Sequence, residues 1–139
     1  MGRVLGLDYG DSRIGLALSD PLKMIASPLK TISNKSSEFI KKKLSDLIID
    51  NDIELIVVGL PISLKGKETE QTKKVKLFIK KINCFDIPIF TQDERLSSIS
   101  AKKSLIIQKI KTGHNKQLID STAAAIFLQQ FLDIRKNNA

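Results

Sequence analysis

Short apolar runs alternate with amphipathic segments along the chain, and this pattern predicts an α/β domain. Short apolar runs bounded by turn residues are typical of buried strands, whereas apolar positions three or four residues apart indicate helices. Strands that alternate with helices favour a sheet with helices on both of its faces. The predicted strands cover residues 3–8, 12–20, 24–32, 54–61 and 86–92, and the predicted helices cover residues 39–51, 69–82, 96–111 and 118–135.

The order of these elements predicts a mixed five-stranded sheet in a single domain over residues 1–139. The first three strands follow one another through short turns, while the fourth and the fifth are each reached through a helix. A connection from strand to helix to strand joins parallel strands by a right-handed crossover. We therefore expect the first strand to lie centrally, beside the fourth. Pro28 places the third strand at an edge, where a missing N–H donor is tolerated.

Four acidic residues lie where this topology would bring them together. Asp8 ends the first strand, Asp93 and Glu94 follow the fifth, and Asp120 opens the last helix. Carboxyl ends of neighbouring parallel strands meet at one edge of a sheet, and a cluster of carboxylates there would suit Mg²⁺ or Mn²⁺. Two such ions can activate a water and stabilise the leaving oxygen in phosphodiester cleavage. The alternative is structural, because aspartates also stabilise turns and the first turns of helices.

The chain is strongly basic, with a net charge of +8 and a pI near 9.6. Clustered lysines indicate a polyanionic partner, although each cluster alone is also compatible with a solvated helix face. Nucleic acid is favoured over a membrane surface, since no predicted helix sets a basic face against a bulky face rich in aromatics. Lys65 and Lys67 follow the fourth strand as two further cations for substrate. The clusters are Lys41-Lys42-Lys43, Lys73-Lys74, Lys80-Lys81 and Lys102-Lys103.

The compartment expected from the sequence is the cytoplasm. Cys84 is the only cysteine of the chain, so no internal disulfide can form. No apolar stretch approaches the length of a membrane span, and the first residues do not have the pattern of a signal peptide.

Four segments, in the same order and over nearly the whole chain, look like the YqgF family. Its members are bacterial nucleases similar to Holliday-junction resolvases and are assigned to maturation of the 5′ end of pre-16S ribosomal RNA. The four segments are Asp8-Tyr9-Gly10-Asp11-Ser12-Arg13-Ile14-Gly15, Val58-Gly59-Leu60-Pro61, Asp93-Glu94-Arg95-Leu96-Ser97-Ser98 and Asp120-Ser121-Thr122-Ala123-Ala124-Ala125.

This resemblance implies a ribonuclease H-like fold and a metal-dependent cut made by a carboxylate cluster. By position, Asp8, Glu94 and Asp120 would be the catalytic acids and the ligands of Mg²⁺ or Mn²⁺, with Asp93 as an additional ligand. Arg13 would bind substrate, because a guanidinium meets a phosphate with two parallel hydrogen bonds.

The resemblance gives Arg95 the same phosphate-binding role. Ser97 and Ser98 stand where family members often have two threonines, so the hydroxyl groups are kept. His114, the only histidine, is either a proton shuttle to the leaving group or an exposed loop residue.

Several alternatives remain open at this stage. A Holliday-junction resolvase acting on branched DNA would use the same acids, and it would require a homodimer because two sites must cut together. A non-catalytic protein that binds structured RNA or pre-ribosomal particles would keep the fold and could be a monomer. A member of the sugar-kinase and actin superfamily would need a second domain of this kind, for which the chain has no room.

Overall fold

The computed structural model describes residues 2–63, 65–93 and 115–137, and within the last segment it describes the side chains of residues 121–135. The predicted helix over residues 96–111 lies outside these residues. In chain order the elements are β1 Arg3–Tyr9, β2 Arg13–Ser19, β3 Ala26–Ser33, α1 Ser37–Asn51, β4 Ile53–Leu60, α2 Glu70–Ile82, β5 Ile89–Asp93 and α3 Asn115–Asn137.

The strands form one mixed five-stranded sheet in the order β3-β2-β1-β4-β5. β1 pairs antiparallel with β2 and parallel with β4, and β4 pairs parallel with β5. The predicted central position of β1 beside β4 is confirmed. Pro28 does lie on an edge strand, β3, next to a break in the regular pairing between β2 and β3.

Each face of the sheet carries its own apolar core because side chains alternate along every strand. On one face, Leu5, Leu7 and Val58 pack with residues of α1 and α2. On the other face, Val4 and Val57 pack with α3. The prediction of helices on both faces is therefore confirmed. No helix of the described residues is long and apolar enough to cross a membrane.

Capping residues start α1 and α2 where the sequence predicts a change from loop to helix. The Ser36 hydroxyl accepts a hydrogen bond from the Phe39 N–H, at 3.2 Å. Thr69 and Thr72 form a reciprocal pair, in which each side chain accepts a hydrogen bond from the other residue's backbone N–H. Such caps supply partners for N–H groups that the first turn of a helix leaves unpaired.

Two predicted boundaries differ from the observed ones by three residues, and the other boundaries agree to within two. α3 begins at Asn115 rather than at residue 118, because its first turn is polar and adds nothing to the apolar periodicity. β5 begins at Ile89 rather than at residue 86. Pro88 has no N–H to donate to the neighbouring strand, so regular pairing starts after it. Its carbonyl still accepts a hydrogen bond from the Ile56 N–H, at 3.0 Å.

Candidate active site

Asp8 lies near the end of the central strand, with its side chain on the face that α3 covers. It follows Gly6, which faces α3, by two residues and therefore shares its face. Its neighbour on β2 is Gly15, and Gly59 of β4 lies level with it, one residue beyond the Leu7–Val58 pair. Neither neighbour carries a side chain beyond its Cα, and Asp8 itself is half-buried.

Helix α3 runs antiparallel to β1. Ala124 and Leu128 contact the middle of β1 at Gly6, and Leu132 lines a groove together with Val4 near the start of β1. The amino-terminal end of α3 therefore points to the edge where β1 ends. This end of a helix carries a partial positive charge, which favours anions.

This direction of α3 brings the backbone position of Asp120 to the same edge as Asp8. Residue 120 precedes Ala124 by about 6 Å along the helix, and Asp8 follows Gly6 by about 7 Å along the strand. The structure does not describe the side chain of Asp120. Ser121, the next residue, is buried.

Arg13 is the first residue of β2 and shares the face of Asp8. It precedes Gly15, the direct partner of Asp8, by two residues, so Arg13 and Asp8 are diagonal neighbours. Diagonal neighbours on antiparallel strands lie about 7–8 Å apart, a distance that a guanidinium can span. The half-buried Arg13 thus lies on the same face and near the same edge as Asp8, and its role in binding phosphate stays a prediction.

The register of β5 gives Asp93 a different environment. Asp93 pairs with Leu60, which packs into the core under α1 and α2, so Asp93 belongs to the face opposite Asp8. The pairing gives no support to Asp93 as a metal ligand beside Asp8. Gln92 pairs with Gly59 instead and lies on the α3 face, two strands or about 10 Å from Asp8.

Sequence reasoning did not identify Gln92 as the β5 residue on the face of Asp8. A shift of one residue in the pairing of β5 with β4 would put Asp93 on that face instead. The exit of an apolar strand does not reveal that register.

Glu94, Arg95 and His114 lie outside the described residues, as do Ser97 and Ser98. Among the side chains that the structure describes, no three from histidine, cysteine, aspartate or glutamate come together in a way that could hold a metal ion. That set contains Asp8 and Asp93 but not Glu94 or Asp120. The expected carboxylate cluster therefore stays a prediction.

A tight turn after β4 presents Lys65 and Lys67 at the edge where Asp8 lies. The Ser63 N–H donates to the Lys67 carbonyl at 2.9 Å, and the Gly66 N–H donates to the Ser63 carbonyl at 2.8 Å. Gly66 has a positive φ of 80°, which glycine adopts without strain. Both lysines are exposed, as a role in binding phosphate would require.

The turn between β1 and β2 is held by several contacts that keep Asp8 and Arg13 in place. The Gly10 N–H donates to the Arg13 carbonyl at 2.9 Å, and a Cβ at Gly10 would lie 2.6 Å from that oxygen, so only glycine fits. The side-chain amide of Asn34 donates to the Gly10 carbonyl at 2.8 Å. Asn34 is a positioning residue that sequence reasoning missed, because it precedes α1 and lies far from the turn in sequence.

The sheet order and the helices on both faces define a ribonuclease H-like domain, and solved structures share this fold. RuvC of T. thermophilus, in complex with a Holliday junction substrate, matches with a TM-score of 0.63 and 18% sequence identity, covering 100% of this chain and 98% of that chain. The resolvase of Fowlpox virus, in complex with Holliday junction DNA, matches with a TM-score of 0.59 and 10% identity, covering 96% of this chain and 98% of that chain.

The chain belongs to the RuvX family, whose model is described as Holliday junction resolvase and matches residues 2–134. The resemblance to the YqgF family is thereby confirmed, since the two names denote one family. A relative from Roseiflexus sp. (strain RS-1) is 43% identical over 97% of this chain and 96% of its own length. One from Desulforamulus reducens is 42% identical over 94% of this chain and 96% of its own length. Both are named as candidate pre-16S rRNA nucleases.

Proposed function

We propose that this protein is a divalent-metal-dependent endonuclease that hydrolyses phosphodiester bonds in structured RNA during maturation of the 5′ end of pre-16S ribosomal RNA. The observation that carries the proposal is the environment of Asp8. This carboxylate lies between Gly15 and Gly59 at the end of the central strand, at the edge where α1, α2 and α3 all begin. The names of the relatives support the substrate, and the cytoplasm is the expected compartment.

The donor groups at this edge fit Mg²⁺ or Mn²⁺, which prefer oxygen ligands. Asp8 would hold the ion together with Glu94 and Asp120, and its strand neighbours Gly15 and Gly59 add no side chain that would compete for the ion. When bound, the metal supplies an activated water and charge stabilisation at the cleaved phosphodiester.

The other residues of the site bind and orient the substrate. Arg13 lies on the face of Asp8 and would orient the scissile phosphate with two hydrogen bonds. Arg95 would contact a second phosphate oxygen. Lys65 and Lys67 would attract the flanking backbone by charge, and the helix N-termini at this edge add a positive potential.

The test compares wild type with Asp8→Asn on a labelled 5′ precursor fragment of 16S ribosomal RNA, in Mg²⁺, in Mn²⁺ and in chelator. Asp50→Asn, which changes an exposed carboxylate at the end of α1, is the matched control. We expect cleavage by wild type and by the control, and at least a 100-fold loss in Asp8→Asn, as is typical when a group that stabilises transition-state charge is removed. Cleavage in chelator, or by Asp8→Asn at the wild-type rate, would refute the proposal.

A second candidate function is cleavage of branched DNA, which the description of the family favours. The same edge would supply the acids, since phosphate contacts carry no base identity. Junction cleavage requires a homodimer, while the RNA reaction is compatible with a monomer. If the protein cuts a four-way DNA junction but not the RNA fragment, the result would support the branched-DNA function. Binding of RNA or pre-ribosomal particles without any cleavage would decide for a non-catalytic role.

A further inference from the structure

A groove of about 430 Å³ lies between the first turn of α1 and the side of α2 that carries Lys74, Phe78 and Lys81. Its floor is apolar and includes Tyr9 and Phe78, whose rings pack with centroids 4.6 Å apart. Tyr9 directly follows Asp8 on β1 but has its side chain on the opposite face of the sheet. The groove therefore lies on the face of α1 and α2, and Tyr9 and Asp11 in its lining place one end of it at the sheet edge where β1 ends.

Three lysines surround this groove. Lys35 precedes α1, and Lys74 and Lys81 lie on α2, seven residues or about 10 Å apart. The acidic residue among the lining side chains is Asp11, whose carboxylate lies 3.3 Å from the Lys74 ammonium. Three lysines and one aspartate give the groove a net charge of +2.

The surroundings of the groove add to this positive potential. Ser36 and Ser37 line it at the start of α1, so the positive end of that helix dipole faces it. Helix α2 carries five lysines and one glutamate, a net charge of +4 out of +8 for the chain. A second copy of this face would be repelled, whereas a polyanion would be attracted.

We propose that this groove binds a backbone phosphate of the nucleic-acid substrate, held by Lys35, Lys74 and Lys81 at the start of α1. The inference rests on the proposed function, because the ligand is the strand that the Asp8 edge would cut. The strand would pass from Asp8 over the turn between β1 and β2 into the groove. Lysines act on phosphate as point charges, so these contacts would supply affinity and direction without sequence preference.

The experiment measures binding of the labelled RNA fragment by fluorescence anisotropy in chelator, at several salt concentrations. The groove variant is Lys35→Gln with Lys81→Gln. Its matched control is Lys42→Gln with Lys80→Gln. It removes the same amount of charge from residues of α1 and α2 that do not line the groove. We expect the groove variant to bind about ten-fold or more weakly than the control. Its salt slope should fall by roughly 1, since the groove would hold one phosphate and each phosphate contact contributes about 1.

Equal losses of affinity in the two double variants would overturn the inference and leave only a general effect of charge. A measurement on the wild type makes the test independent of folding in the variants. Bound RNA should protect Lys81 from acetylation and leave Lys80 reactive, and equal protection of both would also overturn the inference.

Cleavage separates this inference from the proposed function. Cleavage of the RNA by wild type, with binding that does not depend on the groove, would refute the groove alone. Binding that depends on the groove, with no cleavage in any metal, would refute the nuclease and leave the groove as a nucleic-acid contact.

Discussion

Gly6 of β1 lies directly against Ala124 of α3, so that a Cβ at Gly6 would come 3.4 Å from the Ala124 carbonyl oxygen and 3.2 Å from Leu128 Cβ. This close approach sets the distance between the central strand and the helix that carries Asp120. The spacing of Asp8 and Asp120 at the sheet edge therefore depends on a residue that has no chemistry of its own.

We expect Gly6→Ala to destabilise the protein by about 1–3 kcal/mol, because the added methyl overpacks the contact with α3. Leu128→Ala removes buried apolar volume and should cost about 2–5 kcal/mol. In the double variant the new methyl gains the space of Leu128 Cδ2, which would otherwise lie 3.3 Å from it. The double variant should therefore lose less stability than the sum of the two single losses. Urea unfolding of the four proteins measures this coupling. Strict additivity would show that Gly6 and Leu128 do not pack together.

Asp8→Asn should remove most of the stabilisation by Mn²⁺. A ligand that binds only the folded state at 100 times its Kd raises stability by about 2.7 kcal/mol, and loss of a ligating carboxylate would remove most of that gain. Thermal unfolding with and without Mn²⁺ measures the effect independently of any substrate, with Asp50→Asn as the control. A full response to Mn²⁺ in Asp8→Asn would show that Asp8 is not a metal ligand.

Arg13→Lys tests whether shape as well as charge matters beside Asp8. A lysine keeps the charge but cannot form two parallel hydrogen bonds to a phosphate, so we expect kcat/KM for RNA cleavage to fall about ten-fold or more. Arg3→Lys is the matched control, since Arg3 lies at the other end of the sheet and donates to the Ser19 carbonyl at 3.2 Å. Unchanged kinetics in Arg13→Lys would remove Arg13 from the substrate site.

Asp20 gives the protein a predictable dependence on pH. The N–H groups of Ile25 and Met24, each 2.8 Å away, donate to its carboxylate and lower its pKa below the ordinary value. A pKa that is lower in the folded state contributes stability above the unfolded pKa, and this contribution is lost as pH falls through the folded pKa.

Wild type should therefore be more stable than Asp20→Asn at pH 7, and the difference should shrink as the pH is lowered into the acidic range where Asp20 takes up a proton. Urea unfolding over a pH series checks this. A difference that stays constant over the whole series would show that ionisation of Asp20 does not matter.

The sequence predicted the sheet well because its signals are local. Local signals mark each strand and helix, their order then places β1 beside β4 through the crossover rule, and the proline at position 28 places β3 at the edge. The face of Asp93 could not be predicted, because it depends on the register between β4 and β5 rather than on any local pattern. The groove was missed for a related reason. Lys35 precedes α1 whereas Lys74 and Lys81 lie on α2, and only the packing of α1 on the sheet beside α2 brings the three together.

The edge position of Pro28 also affects whether copies of this protein can associate through the edge of the sheet. An exposed edge strand is a template on which another extended chain can pair. Pro28 supplies no N–H for such pairing, the irregular register beside it interrupts the ladder, and Lys30 adds a charge. Growth of the sheet beyond β3 is therefore disfavoured, which protects the exposed edge of the sheet from polymerising at high concentration and directs any self-association to other surfaces.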